Sequence, residues 1–342
     1  MTAAATVQPA TRTVAVIGSG SWGTAIARLL GLKGTHVQLW SHSADTPPAI
    51  NSEHRNPRYL RDAELPNVWC TNSYEEACAG AESVVIVTPS SSMRANARAL
   101  APFIGSRTPV VVLSKGIEAG TGYTMADVLV EELGGAERIA VLSGPNHAEE
   151  ISREMPAATC IACVSEKCAL YFQELFATDY LRVYTTTDVI GVEVCAAAKN
   201  IVAIANGMAG AMGLGDNASA SLITRGCMEM SRLAVAMGGN SQTCMGLAGM
   251  GDLIATCTSQ HSRNRTLGEM LAQGKTLRDF EERMHQIAEG AIACKTVTDA
   301  ARARGVEMPI AEVMRRVLWE DLPAQDALRA LLARPNQPEF HD

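Results

Sequence analysis

The stretch that most limits the fold is TVAVIGSGSWG, Thr13 to Gly23, where a short apolar run meets glycines at positions 18, 20 and 23. A helical run follows, to about Lys33. A strand feeding a G-x-G-x-x-G turn that opens a helix is the start of a βαβ unit, and it is the fingerprint of dinucleotide binding. Gly18 permits the tight turn. Gly20 lets the backbone approach a pyrophosphate, and Gly23 lets helix and strand pack closely. The N-terminus of the helix, carrying Ser21 and Trp22, attracts the anion.

The rest of the first half repeats this alternation. His36–Trp40 is the next strand. Ser83–Thr88 and Pro109–Ser114 are continuous apolar runs of the kind found in parallel sheets covered on both faces. RIAVLSGP follows, and TCIACV and LRVYT can extend the sheet. The polar segment Asn51–Val68, with Pro57 and Pro66, is expected to be a loop over this domain. Past Asp188 strand-like runs give way to helical ones. The expected fold class is therefore α/β: a doubly wound Rossmann-type domain over residues 1–188, then an all-helical domain over 189–342. Residues 1–11 are expected to form a frayed leader.

Composition narrows the function classes. A chain of 342 residues suffices for about two domains. Its aromatic fraction of 4% demands an aliphatic, alanine-rich core. A net charge of -7 argues against nucleic acid as a partner, but a local cationic cluster can still hold a small anion. The N-terminus lacks the basic start and apolar run of a signal peptide. The ten cysteines form no framework and read as reduced thiols of a cytoplasmic protein. Cys160 and Cys163 spell C-x-x-C within a strand-like run, where residues three apart face opposite sides, so no metal site is expected.

One lysine stands out. Lys199 lies inside GVEVCAAAKNIVAIANGMAGAMG, which otherwise reads as a buried helix. A membrane span is disfavoured, since a mid-span lysine costs about 2.5–3.5 kcal/mol. Its helical neighbours, Val192, Cys195, Ala196, Val202, Ala203 and Asn206, include no carboxylate. Burial without a counter-charge lowers a lysine's pKa and suits proton transfer to or from an alcohol or ketone oxygen. Snorkelling to the surface, or pairing with a distant carboxylate, is the structural alternative. Asp252 can be that partner, and Thr256 shares its helix face. Arg263 and Asn264 can clamp a phosphate or belong to an ordinary polar loop. Lys115 follows a strand, where ligands of open α/β sheets bind, but a turn lysine fits too. Gly144-Pro145-Asn146-His147 is placed in the same way. Neither an acid nor an arginine stands at the end of the second strand, Trp40-Ser41-His42-Ser43, which leaves NAD or NADP open. His42 is either beside the adenosine ribose or solvated.

Taken in order, GSGSWGTA, LSKGIE, LSGPNHAEEI, AAAKNIVAIANG, LITRGCMEMSRL, GLAGMGDLIATCT, SRNRTLG, AEGAIACKTV and GVEMPI carry a resemblance. From about Thr13 to about Leu332 the chain resembles the soluble, bacterial-type NAD(P)-dependent glycerol-3-phosphate dehydrogenases. The resemblance implies reversible reduction of dihydroxyacetone phosphate to sn-glycerol 3-phosphate with NAD or NADP, in a cytoplasmic homodimer supplying the phospholipid backbone. It implies Lys199 as proton donor and acceptor, with Asn200 and Thr256 as polar neighbours. Lys115 would touch substrate and cofactor. Ser21, Trp22, His42, Ala148, Arg263, Ile287 and Glu289 would join Gly18, Gly20 and Gly23 at the cofactor. Gly144, Asn146, Asp252, Ser262, Arg263 and Asn264 would form the substrate site. A reductase of a β-hydroxy acid or ketopantoate is the rival within this architecture, and it would not need the Arg263–Asn264 clamp. A dinucleotide sensor without catalysis is the other, and it would be marked by loss of Lys199 or Asp252, both of which are present.

Overall fold

The computed structural model describes residues 12–284, 289–333, 335 and 338–339. The leader 1–11 and Ile287 lie outside the described residues.

Eight strands form one sheet: β1 (Thr13–Ile17), β2 (His36–Trp40), β3 (Val68–Thr71), β4 (Ser83–Ile86), β5 (Val110–Val112), β6 (Ile139–Ser143), β7 (Ala157–Ala162) and β8 (Leu181–Thr186). Their order is β3-β2-β1-β4-β5-β6-β7-β8. The first six strands are parallel, β7 runs antiparallel to β6, and β8 is parallel to β7. The strand order reverses between β1 and β4, which is where an open α/β sheet offers a crevice at its carboxyl ends. Val14, Ala15, Val84 and Val85 are fully buried, so the two strands flanking that crevice are covered on both faces and need no polar alternation.

The sequence reading missed β3. Its four residues alternate only once, with Trp69 exposed, because it is the outermost strand of the sheet. The segment expected to be a loop is helical at its start, since Thr46–Glu53 is a helix, and irregular from His54 to Asn67. The C-x-x-C thiols diverge as expected: Cys160 packs against one core of the sheet and Cys163 belongs to the core on the other.

In the helical half, the helix Val189–Ala211 is the axis. Every residue from Gly191 to Ala209 is buried. An apolar helix enclosed all round by other helices is a core element, and this one is the single candidate span among the described residues. The helix Arg263–Ala272 crosses it in backbone contact: a Cβ on Gly268 would lie 2.0 Å from the Ile204 carbonyl oxygen.

Glu193 ties the halves together. It projects from the axial helix, and both its carboxylate oxygens accept from the Ala126 N–H, at 3.0 and 3.2 Å. Ala126 lies in the first turn of the helix Met125–Leu133, where a negative charge is favoured. Burial nonetheless pushes the Glu193 carboxyl up to about 8. Glu193→Ala strands a buried N–H and should cost about 1–3 kcal/mol in chemical denaturation, with Glu193→Gln costing less. A folded-state pKa above the unfolded one means stability that is lost as pH rises. Wild type should therefore lose stability relative to Glu193→Gln as pH rises from about 4.5 through about 8. A thermal-melt series across that range checks the sign.

Candidate active site

The glycine turn links β1 to the helix Ser21–Leu32. Gly18 has a φ of +123°, and a Cβ there would lie 2.6 Å from the Val87 carbonyl oxygen. A Cβ on Gly23 would lie 1.9 Å from the Gly18 carbonyl oxygen. Protein backbone thus requires both glycines. A Cβ on Gly20 would meet nothing within 4 Å among the described residues, so none of them explains that glycine. Among the described residues, no side chain caps the helix that follows. Open backbone at an uncapped helix N-terminus fits an approaching pyrophosphate. Ser21 lies on this turn, its hydroxyl donating to Glu149 at 3.3 Å, and Trp22 packs half-buried against the sheet core. Buried Ala148 opens the neighbouring helix Ala148–Ser152. His42, exposed, stands past the end of β2, its ring centroid 6.2 Å from that of Trp40.

A buried cluster joins the two halves beyond the strand ends. Lys199 reaches from the middle of the axial helix to Asp252 Oδ1 at 2.7 Å and Thr256 Oγ1 at 2.6 Å. Lys115, past the end of β5, reaches Asp252 Oδ2 at 2.6 Å. Asp252 opens the helix Asp252–Thr258, which explains why Thr256, one turn on, meets the same ammonium. The Thr256 hydroxyl donates to the Asp252 carbonyl oxygen at 2.6 Å and so presents a lone pair to Lys199. Lys199, Asp252 and Thr256 are all buried.

The electrostatics follow from this sharing. Burial lowers the Lys199 pKa to about 8, with the Asp252 carboxylate opposing and the Lys115 ammonium adding to the drop. Burial would raise the Asp252 carboxyl, but two lysines outweigh it and hold it below the usual range. Two ammoniums on one carboxylate leave a net positive charge, which suits an anionic ligand. Half-buried Glu289 faces the same cluster: desolvation pushes its carboxyl up against the pull of Arg263, Lys115 and Lys199.

The remaining expected residues surround this centre. Asn264 donates to Asn200 Oδ1 at 3.0 Å and accepts from the Gly290 N–H at 3.1 Å, so its amide is partly engaged within the protein. Buried Ser262 caps the helix Arg263–Ala272, accepting from the Arg265 N–H at 3.2 Å. Arg263, exposed, occupies the first turn of that helix. Asn146 donates to Thr159 at 3.0 Å, and a Cβ on Gly144 would lie 2.9 Å from the Thr159 Cα, which presses this turn onto β7.

Two residues escaped the sequence reading. Ser143, the last residue of β6, donates to Asp252 Oδ2 at 3.4 Å, and its only sign was a polar residue closing an apolar strand. Thr159, fully buried in β7, anchors the Gly144–Asn146 turn and left no local signal. A hollow of about 740 Å³ near β8, lined by Gln173, Tyr180 and Arg182, shares no residue with the lysine–aspartate cluster.

The chain is similar to known proteins over nearly its whole length. The family model "NAD-dependent glycerol-3-phosphate dehydrogenase N-terminus" matches residues 13–169, and its C-terminal counterpart matches 188–329. The glycerol-3-phosphate dehydrogenase [NAD(P)+] of Nocardia farcinica is 46% identical over 332 residues, covering 95% of this chain and 99% of that protein. That of Thermobifida fusca is 46% identical over 329 residues, covering 95% and 98%. The crystal structure of glycerol-3-phosphate dehydrogenase from Coxiella burnetii superposes with a TM-score of 0.91 at 36% identity, over 95% of this chain and 99% of that one. A ketopantoate reductase from Ralstonia eutropha shares the fold alone, with a TM-score of 0.60 at 17% identity. With two lysines sharing one buried aspartate, an open glycine turn, and both halves matched, the chain belongs to the NAD-dependent glycerol-3-phosphate dehydrogenase family.

Proposed function

We propose that Lys199 is the proton donor and acceptor in the reaction of this family, the reversible NAD(P)H-dependent reduction of dihydroxyacetone phosphate to glycerol 3-phosphate. The observation that supports this most is the division of Asp252 between two ammoniums, Oδ1 to Lys199 and Oδ2 to Lys115. Asp252 fixes both cations without consuming either charge fully. Thr256 orients the Lys199 ammonium by accepting a hydrogen bond from it.

Gly18, Gly20, Ser21, Trp22, Gly23, His42, Ala148 and Glu289 would hold the dinucleotide, whose nicotinamide supplies the hydride. The chain's own part is positioning and proton transfer. Arg263 and the remaining N–H of Asn264 hold the substrate phosphate, and Gly144 and Asn146 shape the opposite wall. Lys199 gives its proton to the C2 carbonyl oxygen as that oxygen becomes an alcohol. Lys115 stabilises the charge developing there. Lys199 is then a neutral amine that water reprotonates near neutral pH. In the oxidative direction the same amine takes the proton. We place the boundary between cofactor and catalytic halves at Asp188, and read the enzyme as a cytoplasmic homodimer feeding phospholipid synthesis. The ten free thiols, nine of them buried, are in keeping with a reducing compartment.

Lys199→Met should lower kcat by about 10²–10⁴-fold, the usual worth of general acid–base catalysis, with dinucleotide binding retained. Near-normal turnover would reject the assignment.

Reduction needs the ammonium form of Lys199, so its rate should fall as pH rises through about 8, while glycerol 3-phosphate oxidation rises over the same range. Asp252→Asn removes the carboxylate that supports the ammonium and should move both limbs to lower pH. An unmoved limb would mean that another group titrates.

Arg263→Ala should raise KM for dihydroxyacetone phosphate far more than for the dinucleotide. An equal rise in both would remove Arg263 from the phosphate clamp.

A further inference from the structure

A closed ring of hydrogen bonds joins the glycine turn, the end of β2 and the irregular segment before β3. Ser19 Oγ donates to Ser41 Oγ at 2.8 Å, and Ser41 Oγ accepts from the Ser43 N–H at 3.3 Å. Ser43 Oγ donates to Asp45 Oδ1 at 2.8 Å, and Arg58 Nη2 donates to Asp45 Oδ2 at 2.6 Å. The Arg58 N–H donates to Asn56 Oδ1 at 2.9 Å, and Asn56 Nδ2 closes the ring on the Ser19 carbonyl oxygen, also at 2.9 Å.

The ring is anchored at one side and open at the other. Asn56 is 1% exposed and Ser41 fully buried, whereas the Asp45 and Arg58 side chains are 62% and 53% exposed. Exposed ion pairs contribute little to stability, so a frame that fixes one in place needs another reason. Its location supplies one. The glycine turn takes the pyrophosphate, and the adenosine ribose of a dinucleotide then lies at the carboxyl end of the second strand. An acid about twenty residues beyond the turn binds the ribose hydroxyls, and an arginine nearby accommodates a 2′-phosphate. No acid or arginine stands at the strand end itself, but the fold sets Asp45 and Arg58 against each other just beyond it. The Ser43 hydroxyl, then the Arg58 guanidinium, hold the Asp45 carboxyl below its usual range, so it stays ionised at working pH.

We propose that the Asp45–Arg58 pair sets the dinucleotide preference: Asp45 accepts from a ribose 2′-hydroxyl and repels a 2′-phosphate, and it occupies the arginine that would otherwise receive that phosphate. The proposal rests on the reading of the glycine turn as the dinucleotide site. The protein favours the unphosphorylated dinucleotide, and the receptor for the phosphorylated one is present but neutralised.

The test uses full-length protein, wild type and the variants Asp45→Asn, Arg58→Ala and Arg58→Lys. Calorimetry with adenosine 5′-monophosphate and adenosine 2′,5′-bisphosphate reads the adenosine end without turnover. Steady-state rates with NADH and NADPH read it in the reaction. Asp45→Asn should raise the preference for the 2′-phosphorylated ligand by about three- to tenfold, on both readouts. Arg58→Ala should lower it, and Arg58→Lys should stay close to wild type. Added salt should shrink both shifts, because exposed charges are screened. If Asp45→Asn and Arg58→Ala change the two adenosine ligands equally, the pair is structural and the proposal falls. If wild type binds both ligands but turns over dihydroxyacetone phosphate with neither dinucleotide, the catalytic reading fails, while the calorimetric preference still decides the pair.

Discussion

The shared carboxylate of Asp252 is the interaction on which the rest of the site depends. A buried ion is tolerated only when paired and hydrogen-bonded, and an isolated ammonium on an apolar helix would lose its proton. Asp252 resolves this for Lys199 with one oxygen and holds Lys115 with the other. Because Lys115 comes from the sheet half and Lys199 from the helical half, the same carboxylate also bridges the two. The cost of burying Lys199 and Asp252 is met at one point, and the excess positive charge remains for a substrate. Burial of the whole axial helix around Lys199 lets the ammonium titrate at about 8 rather than near its ordinary value.

Two further buried carboxylates do analogous work away from the chemistry. Glu193 accepts from Ala126 at the start of the helix Met125–Leu133. Glu229 accepts from the Ile310 and Ala311 N–H groups at 2.7 and 3.2 Å, at the start of the helix Pro309–Trp319. In each case an acid from one helix satisfies the unpaired donors opening another, where the helix dipole favours negative charge. These contacts orient helices around the axial one, and through Glu193 they fix the axial helix against the sheet. The position of Lys199 beside the strand ends follows from that placement.

Much of this was legible in order along the chain. β1 coincides with the apolar run read from sequence, because a strand buried on both faces carries an unbroken signal. β3 was not legible, since a four-residue outer strand leaves too short a pattern. The glycine turn was legible because its spacing is a local pattern, with Gly18 and Gly23 each required by neighbouring backbone. Asp252 and Thr256 were legible as a helical pair, and Lys199 as a lysine out of place. Ser143 and Thr159 were not, because an isolated hydroxyl residue carries no local sign of what it will meet across the fold. The Asp45–Arg58 pair was also hidden, since the two stand thirteen positions apart and come together only through the Asn56 anchor.

By itself the sequence determined the alternation of strands and helices, the phosphate-accepting turn and the anomaly of a lysine in an apolar helix. These are local properties, written in periodicity and in residues whose backbone demands are their own. Only the tertiary structure decided which carboxylate meets Lys199, that a second lysine shares it, and how far the ammonium's pKa falls. Those depend on distances between residues more than fifty positions apart and on the water that packing excludes, which no window of sequence encodes.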